Sequence, residues 1–228
     1  MFSKRADTSA AGADPAAELS APPEEATPES AVPEGVGGTA ASDVNGAAPS
    51  GPFDSRDYGD IGDLVDAGSL WLPLSQTALL QFGIDNVTHR VLAAFYITPQ
   101  GAVQLQAYAA PRSHGIWDSL RRDLREALAN AGGMSEEVES PFGTALLSQV
   151  STGEDGGFVK QLFVGIDGPR WFLKATITGD AATDPALAQS LYEIIRAVVV
   201  HRGSEPHPPQ EFLPLRLPAG KNPADVSA

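Results

Sequence analysis

The 228 residues carry 29 Asp and Glu against 15 Lys and Arg, a formal charge of −14, and include no cysteine. Such a chain lacks the basic footprint that nucleic acid or an anionic membrane requires, and it has no means of forming disulfides, thiolate nucleophiles or Cys-ligated metal sites. There is no apolar run of bilayer-spanning length and no apolar core of a signal peptide near Met1, so a cytoplasmic protein without membrane insertion is expected.

The first stretch, 1–52, is almost entirely Ala, Gly, Pro, Ser, Thr, Glu and Asp, with no apolar residues at strand or helix period. It buries too little to offset chain entropy and is expected to be a disordered acidic tail. Residues 219–228 are similar in composition and are expected to be a second tail, leaving 53–218 as a single globular domain. Within 51–218, 20 acidic residues against 12 basic leave −8.

The domain opens on "DSRDYGDIGDLVDAG", where Asp54, Asp57, Asp60, Asp63 and Asp66 recur at every third position. A calcium loop would need a different order of ligands, and a solvated acidic lead-in is the simpler reading. Then come the β-like runs "SLWLPL", "ALLQFGI", "RVLAAFYIT" and "AVQLQAYAA", the last two joined at Pro99 and Gly101 as an antiparallel hairpin. In that hairpin Val91, Ala93, Phe95 and Ile97 would share one face, as would Val103, Leu105, Ala107 and Ala109.

"IWDSLRRDLREALANAGG" reads as a helix with Trp117, Leu120, Leu124, Ala127, Leu128 and Ala131 along one stripe, Ser113 as N-cap and Gly132-Gly133 closing it. "SPFGTALLSQVS", "GFVKQLFVGI" and "RWFLKATIT" follow as strands, the last two forming a hairpin about Asp167-Gly168-Pro169. A second helix is expected from Asp184-Pro185, then "AVVVHR" as a strand, then a Pro-rich arm with Phe212, Leu213, Leu215 and Leu217 laid on the surface. The order implies an α+β sandwich, an antiparallel β-sheet covered by two main helices. No phosphate-binding strand-to-helix glycine loop is present, because "GIDGPRW" joins strand to strand.

The segments "APRSHGIWDSLR", "VESPFGTAL" and "DGPRWFL", with the Pro-rich "HRGSEPHPPQEFLPLRLP", resemble an actinobacterial family of uncharacterised proteins, a domain of unknown function with APRSxGxWDxxR and DGPRWFL motifs. The resemblance covers about 53–218 and implies a cytoplasmic bacterial protein with an acidic lead-in before "DAGSL" and no activity to carry over. By fold analogy alone, the element order is similar to small sandwiches of the photosystem-accessory and nuclear-import-factor type, which are mostly binding domains.

Three places carry candidate chemistry. Arg112, Ser113 and His114 open the first helix, where free amides favour an anion, and Arg170 of the hairpin turn would add a second guanidinium; the alternative is a capped helix with Arg112 paired to Asp118 or Asp167. Ser113 and His114 do not make a nucleophile and base on sequence grounds, since adjacent side chains at a helix start point apart and no nucleophile elbow surrounds them. His201, Glu205 and His207 lack the spacing of a metal site. Finally, strand alternation allows only one of Trp171 and Phe172 to face the core, so the other must be covered by a helix, a loop or a partner.

No catalytic residue, metal or cofactor is assigned. The leading expectation is a non-enzymatic interaction or ligand-binding module for a protein or small anionic ligand, through Arg112, Arg170 and an exposed aromatic. An enzyme, such as a hydrolase using His114 on a small anionic substrate, is the alternative, and a homodimer pairing sheet edges is a third class.

Overall fold

The structure, a computed structural model, describes residues 51–151 and 157–218. The two expected tails lie outside the described residues, apart from Gly51 and Pro52. In chain order the elements are β1 (Phe53–Asp54), α1 (Ser55–Tyr58), β2 (Val65–Asp66), β3 (Leu70–Leu72), β4 (Leu79–Ile84), β5 (Val91–Thr98) and β6 (Gly101–Ala109). They continue with α2 (Trp117–Asn130), β7 (Met134–Ser140), β8 (Gly143–Ser151), β9 (Phe158–Gly168), β10 (Trp171–Gly179), a 3₁₀ turn (Asp180–Ala182), α3 (Gln189–Ala197) and β11 (Val199–Val200).

The described chain is mostly β, which corrects the expected sheet covered by two main helices. A seven-stranded antiparallel sheet runs β4-β5-β6-β10-β9-β8-β7, and a separate four-stranded sheet runs β1-β11-β3-β2. The apolar runs expected to widen one sheet instead form strands of 2 or 3 residues that bond to each other, β1 parallel to β11 and β11 antiparallel to β3. Leu70, Leu72 and Val200 of this small sheet, with Leu191 and Ile195 of α3, pack on Leu105, Leu173, Ala175 and Ile177 of the large sheet in one core. A second, smaller core lies on the opposite face, where Trp117, Leu124 and Leu128 of α2 meet Leu146, Phe163 and Phe172.

The hairpins follow the alternation legible in sequence. Val103, Leu105, Ala107 and Ala109 of β6 are all buried, and opposite them Trp171, Leu173, Ala175 and Ile177 of β10 pair with Ala109, Ala107, Leu105 and Val103. β5 behaves differently: Ala94, Tyr96 and Thr98 are buried while Ile97 is 38% exposed, and the β4–β5 register shifts at Gly83/Ile84. The bulge breaks the two-residue period, so Val91 and Ile97 no longer share one environment.

β5 pairs with β6 only as far as Ala94 and Leu105. The backbone of β6 beyond that point is completed by the Pro-rich arm: Ala109 N–H donates to Glu211 O, Gln210 N–H to Ala109 O and Leu213 N–H to Ala107 O. The arm was expected on the surface, yet Leu213 is fully buried, and Arg216 N–H reaches Ala67 O while Ser69 N–H reaches Pro214 O. It is a strand substitute that satisfies backbone groups of β6 and of the segment between β2 and β3.

α2 begins at Trp117, the first residue of the expected stripe and later than a Ser113 cap would start it, and ends as expected, with Gly132 N–H donating to Ala129 O and Gly133 N–H to Leu128 O in a Schellman pattern. Its outer side pairs Arg121 with Asp118 and sets Arg121 and Arg125 on Glu137 of β7, a strand the sequence reading did not anticipate. α3 likewise starts after the expected Asp184-Pro185, at Gln189. Trp117 seats on the sheet because β9 has a glycine beneath it: a Cβ at Gly165 would stand 2.2 Å from the indole. Gly165→Ala is therefore expected to lower unfolding free energy by about 2–3 kcal/mol through overpacking, measured by denaturant titration.

Candidate functional site: an arginine cluster at a self-capped helix

The β9–β10 turn and the start of α2 are joined by one carboxylate. Ile116 N–H donates to Asp167 Oδ1 at 2.7 Å and Trp117 N–H to Asp167 Oδ2 at 3.2 Å, so the N-cap comes from 50 residues away in sequence and not from Ser113. Gly115 permits the approach, since a Cβ there would lie 2.4 Å from that carboxylate. The helix-start amides expected to bind a free anion are thus occupied by the chain's own anion.

The turn itself centres on Pro169 and Arg170, because Gly168 and Trp171 are already paired across the ladder. Arg170 adopts φ +68°, and proline followed by a positive φ is the type II order that ordinarily takes glycine. An arginine held there carries backbone strain of order 1 kcal/mol. Its carbonyl accepts from Ala110 N–H at 3.0 Å and from Arg202 Nε at 3.3 Å, which ties together the end of β6, the turn and the segment after β11.

Arg202 was not singled out in the sequence reading. Burial, then the charges of Arg170, Arg112 and Arg56, push its pKa below the usual arginine value. Four guanidinium groups therefore share one neighbourhood of an acidic protein. Arg56 is neutralised by Asp54, at 3.0 and 2.9 Å. Arg202 donates to the carbonyls of Gly203 and Glu205. Arg112 and Arg170 form no ion pair with any described residue, neither with Asp118, which pairs with Arg121, nor with Asp167, which caps α2.

Trp171 and Phe172, the expected interface lead, are 2% and 0% exposed. Both are covered from within. Phe172 lies under α2, stacked on Trp117 at 5.9 Å, and Trp171 faces the small sheet, where its Nε1 donates to Asp54 Oδ2 at 2.8 Å. Neither ring is available to a partner, which corrects the expected exposed aromatic. Tyr108 joins the same aromatic group beside Phe172 and Phe212, and burial pushes its hydroxyl up to about 12.

Ser113 and His114 are exposed and do meet, Ser113 Oγ lying 2.9 Å from His114 Nδ1, contrary to the expectation that they point apart. His201 bonds to Ser55 and stacks on Trp71, whereas His207 pairs with Glu211. Within the Asp repeat, Asp54 and Asp66 are taken by Arg56 and Arg216. Among the described residues no group of three or more metal-ligating side chains gathers. An open groove of about 390 Å³, lined by Ile84, His89, Arg90, Val91, Leu215 and Leu217 among others, shares no residue with the arginine cluster.

The family model described as "Protein of unknown function (DUF3710)" matches residues 51–224. The chain belongs to the DUF3710 family. No curated protein matches the DUF3710 chain. A crystal structure of a protein from Bacteroides thetaiotaomicron is similar over 61% of this chain and 48% of its own, at 14% identity and a TM-score of 0.37. This chain thus spans about half the length of that protein. No described helix of the DUF3710 chain is long and apolar enough to cross a membrane.

Removing the remote cap by Asp167→Ala is expected to cost about 1–2 kcal/mol of stability in thermal or denaturant unfolding. Asp54 responds to acid. Burial raises its pKa, but hydrogen bonds from Arg56 and Trp171 outweigh burial and hold it below the ordinary carboxylate value. A depressed native pKa makes this contribution complete above the unfolded value, near about 4, and lost as pH falls through the native value. Acid unfolding monitored by tryptophan fluorescence is expected to lose part of its pH dependence below about pH 4 in Asp54→Asn.

Proposed function

We propose that the protein is a non-enzymatic binding module that recognises an anionic group, on a partner protein or a small ligand, through Arg112, Arg170 and Arg202. One observation carries this reading: Arg202 is bonded to the Arg170 carbonyl within reach of the charges of Arg112 and Arg170, and neither Arg112 nor Arg170 has a carboxylate partner among the described residues. Like charges brought together in a −8 domain raise its free energy, and an anion between them offsets that cost. The positive φ of Arg170 supports the same reading, because the turn accepts glycine more readily and the side chain is retained at the expense of strain. With the α2 amides capped by Asp167, recognition falls to side chains, which suit the planar, bidentate geometry of carboxylate or phosphate. Actinobacterial ancestry, drawn from the APRSxGxWDxxR and DGPRWFL motifs, and a cytoplasmic location form part of this proposal.

A second reading, a hydrolase acting on a small anionic substrate, is favoured only by the Ser113–His114 contact at 2.9 Å. Against it, no carboxylate bonds to His114 among the described residues, and the nearest helix amides are occupied. Labelling of Ser113 by a serine-reactive fluorophosphonate is the measurement that separates the two, and no labelling is expected.

Arg170→Gly separates binding from folding. It is expected to keep or raise the melting temperature while weakening a ligand captured from host lysate by about tenfold or more, and Arg112→Glu with Arg170→Glu is expected to abolish capture. Capture that survives the double charge reversal contradicts this placement.

A further inference from the structure

A groove lies between the β4–β5 turn and the Pro-rich arm. Its volume, about 390 Å³, is within the range of small-molecule sites. Ile84 ends β4, Val91 opens β5, and Leu215 and Leu217 come from the arm, so most of its lining is aliphatic. Val91 and Leu215 bridge to each other and belong to the main core, which seats the groove on packed structure.

The turn beside it is closed upon itself. Asp85 N–H donates to Arg90 O at 2.9 Å and His89 N–H to Asp85 O at 2.8 Å, which fixes the backbone from which His89 and Arg90 border the groove. Asp85, whose charge is felt by His89, is engaged by Val87 N–H and the Thr88 hydroxyl.

Charge at the groove is opposite to that of the domain. Arg90 and Arg216 line it, and no described Asp or Glu does, although the domain carries −8. Arg216 is compensated by Asp66, whereas Arg90 forms no ion pair with any described residue. One guanidinium without a counter-charge thus stands beside an aliphatic surface.

We propose that this groove binds a free alkyl monocarboxylate of the fatty-acid class, with its chain along Ile84, Val91, Leu215 and Leu217 and its carboxylate on Arg90. Each feature selects against another ligand. A neutral alkane leaves Arg90 uncompensated, acetate leaves the aliphatic lining in water, and a phosphate dianion brings a second charge for which the groove has no second unpaired guanidinium. Elsewhere the acidic surface repels such an anion. The groove shares no residue with the arginine cluster, so the two sites are tested separately.

Methyl ¹H–¹³C spectra of the full 228-residue chain, recorded while decanoate, decan-1-ol or acetate is added, test it. Decanoate is expected to shift the Ile84, Val91, Leu215 and Leu217 methyls saturably, with a dissociation constant below about 1 mM, and decan-1-ol and acetate to bind about tenfold more weakly or worse. Arg90→Gln, at an exposed side chain, is expected to weaken decanoate by about tenfold, leaving decan-1-ol binding and the melting temperature unchanged. Groove methyls that do not saturate with decanoate overturn the proposal, as do decan-1-ol binding equal to that of decanoate, decanoate affinity that Arg90→Gln leaves intact, and decanoate shifts centred on Arg112 and Arg170. Tighter binding of a peptide ending in leucine than of decanoate overturns the choice of a free small molecule.

Discussion

The carboxylate of Asp167 on the first amides of α2 is the contact from which the rest of the site follows. It fixes the helix to a turn that the sheet has already formed, and it neutralises the positive end of the helix without a ligand. Trp117, the first residue of that helix, is then committed to the sheet, its ring against Gly165 and Phe172 and its Nε1 donating to Thr144 O at 2.8 Å. With both the amides and the aromatic ring consumed in folding, the charge left outward at this corner is that of arginine, beside the exposed Ser113 and His114.

The opposite face supplies the remaining guanidinium groups. Trp171 alternates with Phe172 along β10 and reaches through the core to Asp54, whose other bonds fix Arg56. Arg202 leaves the small sheet just after β11 and turns back to the carbonyl of Arg170. One hairpin therefore has an aromatic in each of two cores and an arginine at its tip. Arg170 and Arg202 are positioned by packed elements, which is the condition under which like charges stay together in the absence of a ligand.

Much of this was legible where the signal is local. Two-residue alternation identified β6, β9 and β10, and the apolar stripe identified α2. The small sheet was hidden because its ladders join residues far apart, Phe53 with Val199 and Leu70 with Val200, each run being too short to announce a partner. β7 was missed because glutamates occupy the positions where a strand core would show apolar residues, as an edge strand allows. The Pro-rich arm misled through composition: its prolines resemble a surface segment, whereas Leu213 fills the place that β5 vacates beside β6.

At the site, Arg112 and Arg170 stood out because each borders a turn. Arg202 did not, since a basic residue after an apolar strand is unremarkable until the fold brings it to Arg170. Asp167 was noted as a partner for Arg112, whereas its partners are backbone amides, a choice that depends on helix direction and Gly115.

The central claim is that the arginine cluster, and not the helix amides, receives an anion. The most direct measurement is a ¹H–¹⁵N spectrum of arginine side chains and backbone recorded while inorganic pyrophosphate is added. The account predicts shifts concentrated at the Nε–H groups of Arg112, Arg170 and Arg202, with the Ile116 and Trp117 amides held by Asp167. Shifts centred on those amides, or spread over Arg122 and Arg125 of α2 with none at the cluster, would contradict it.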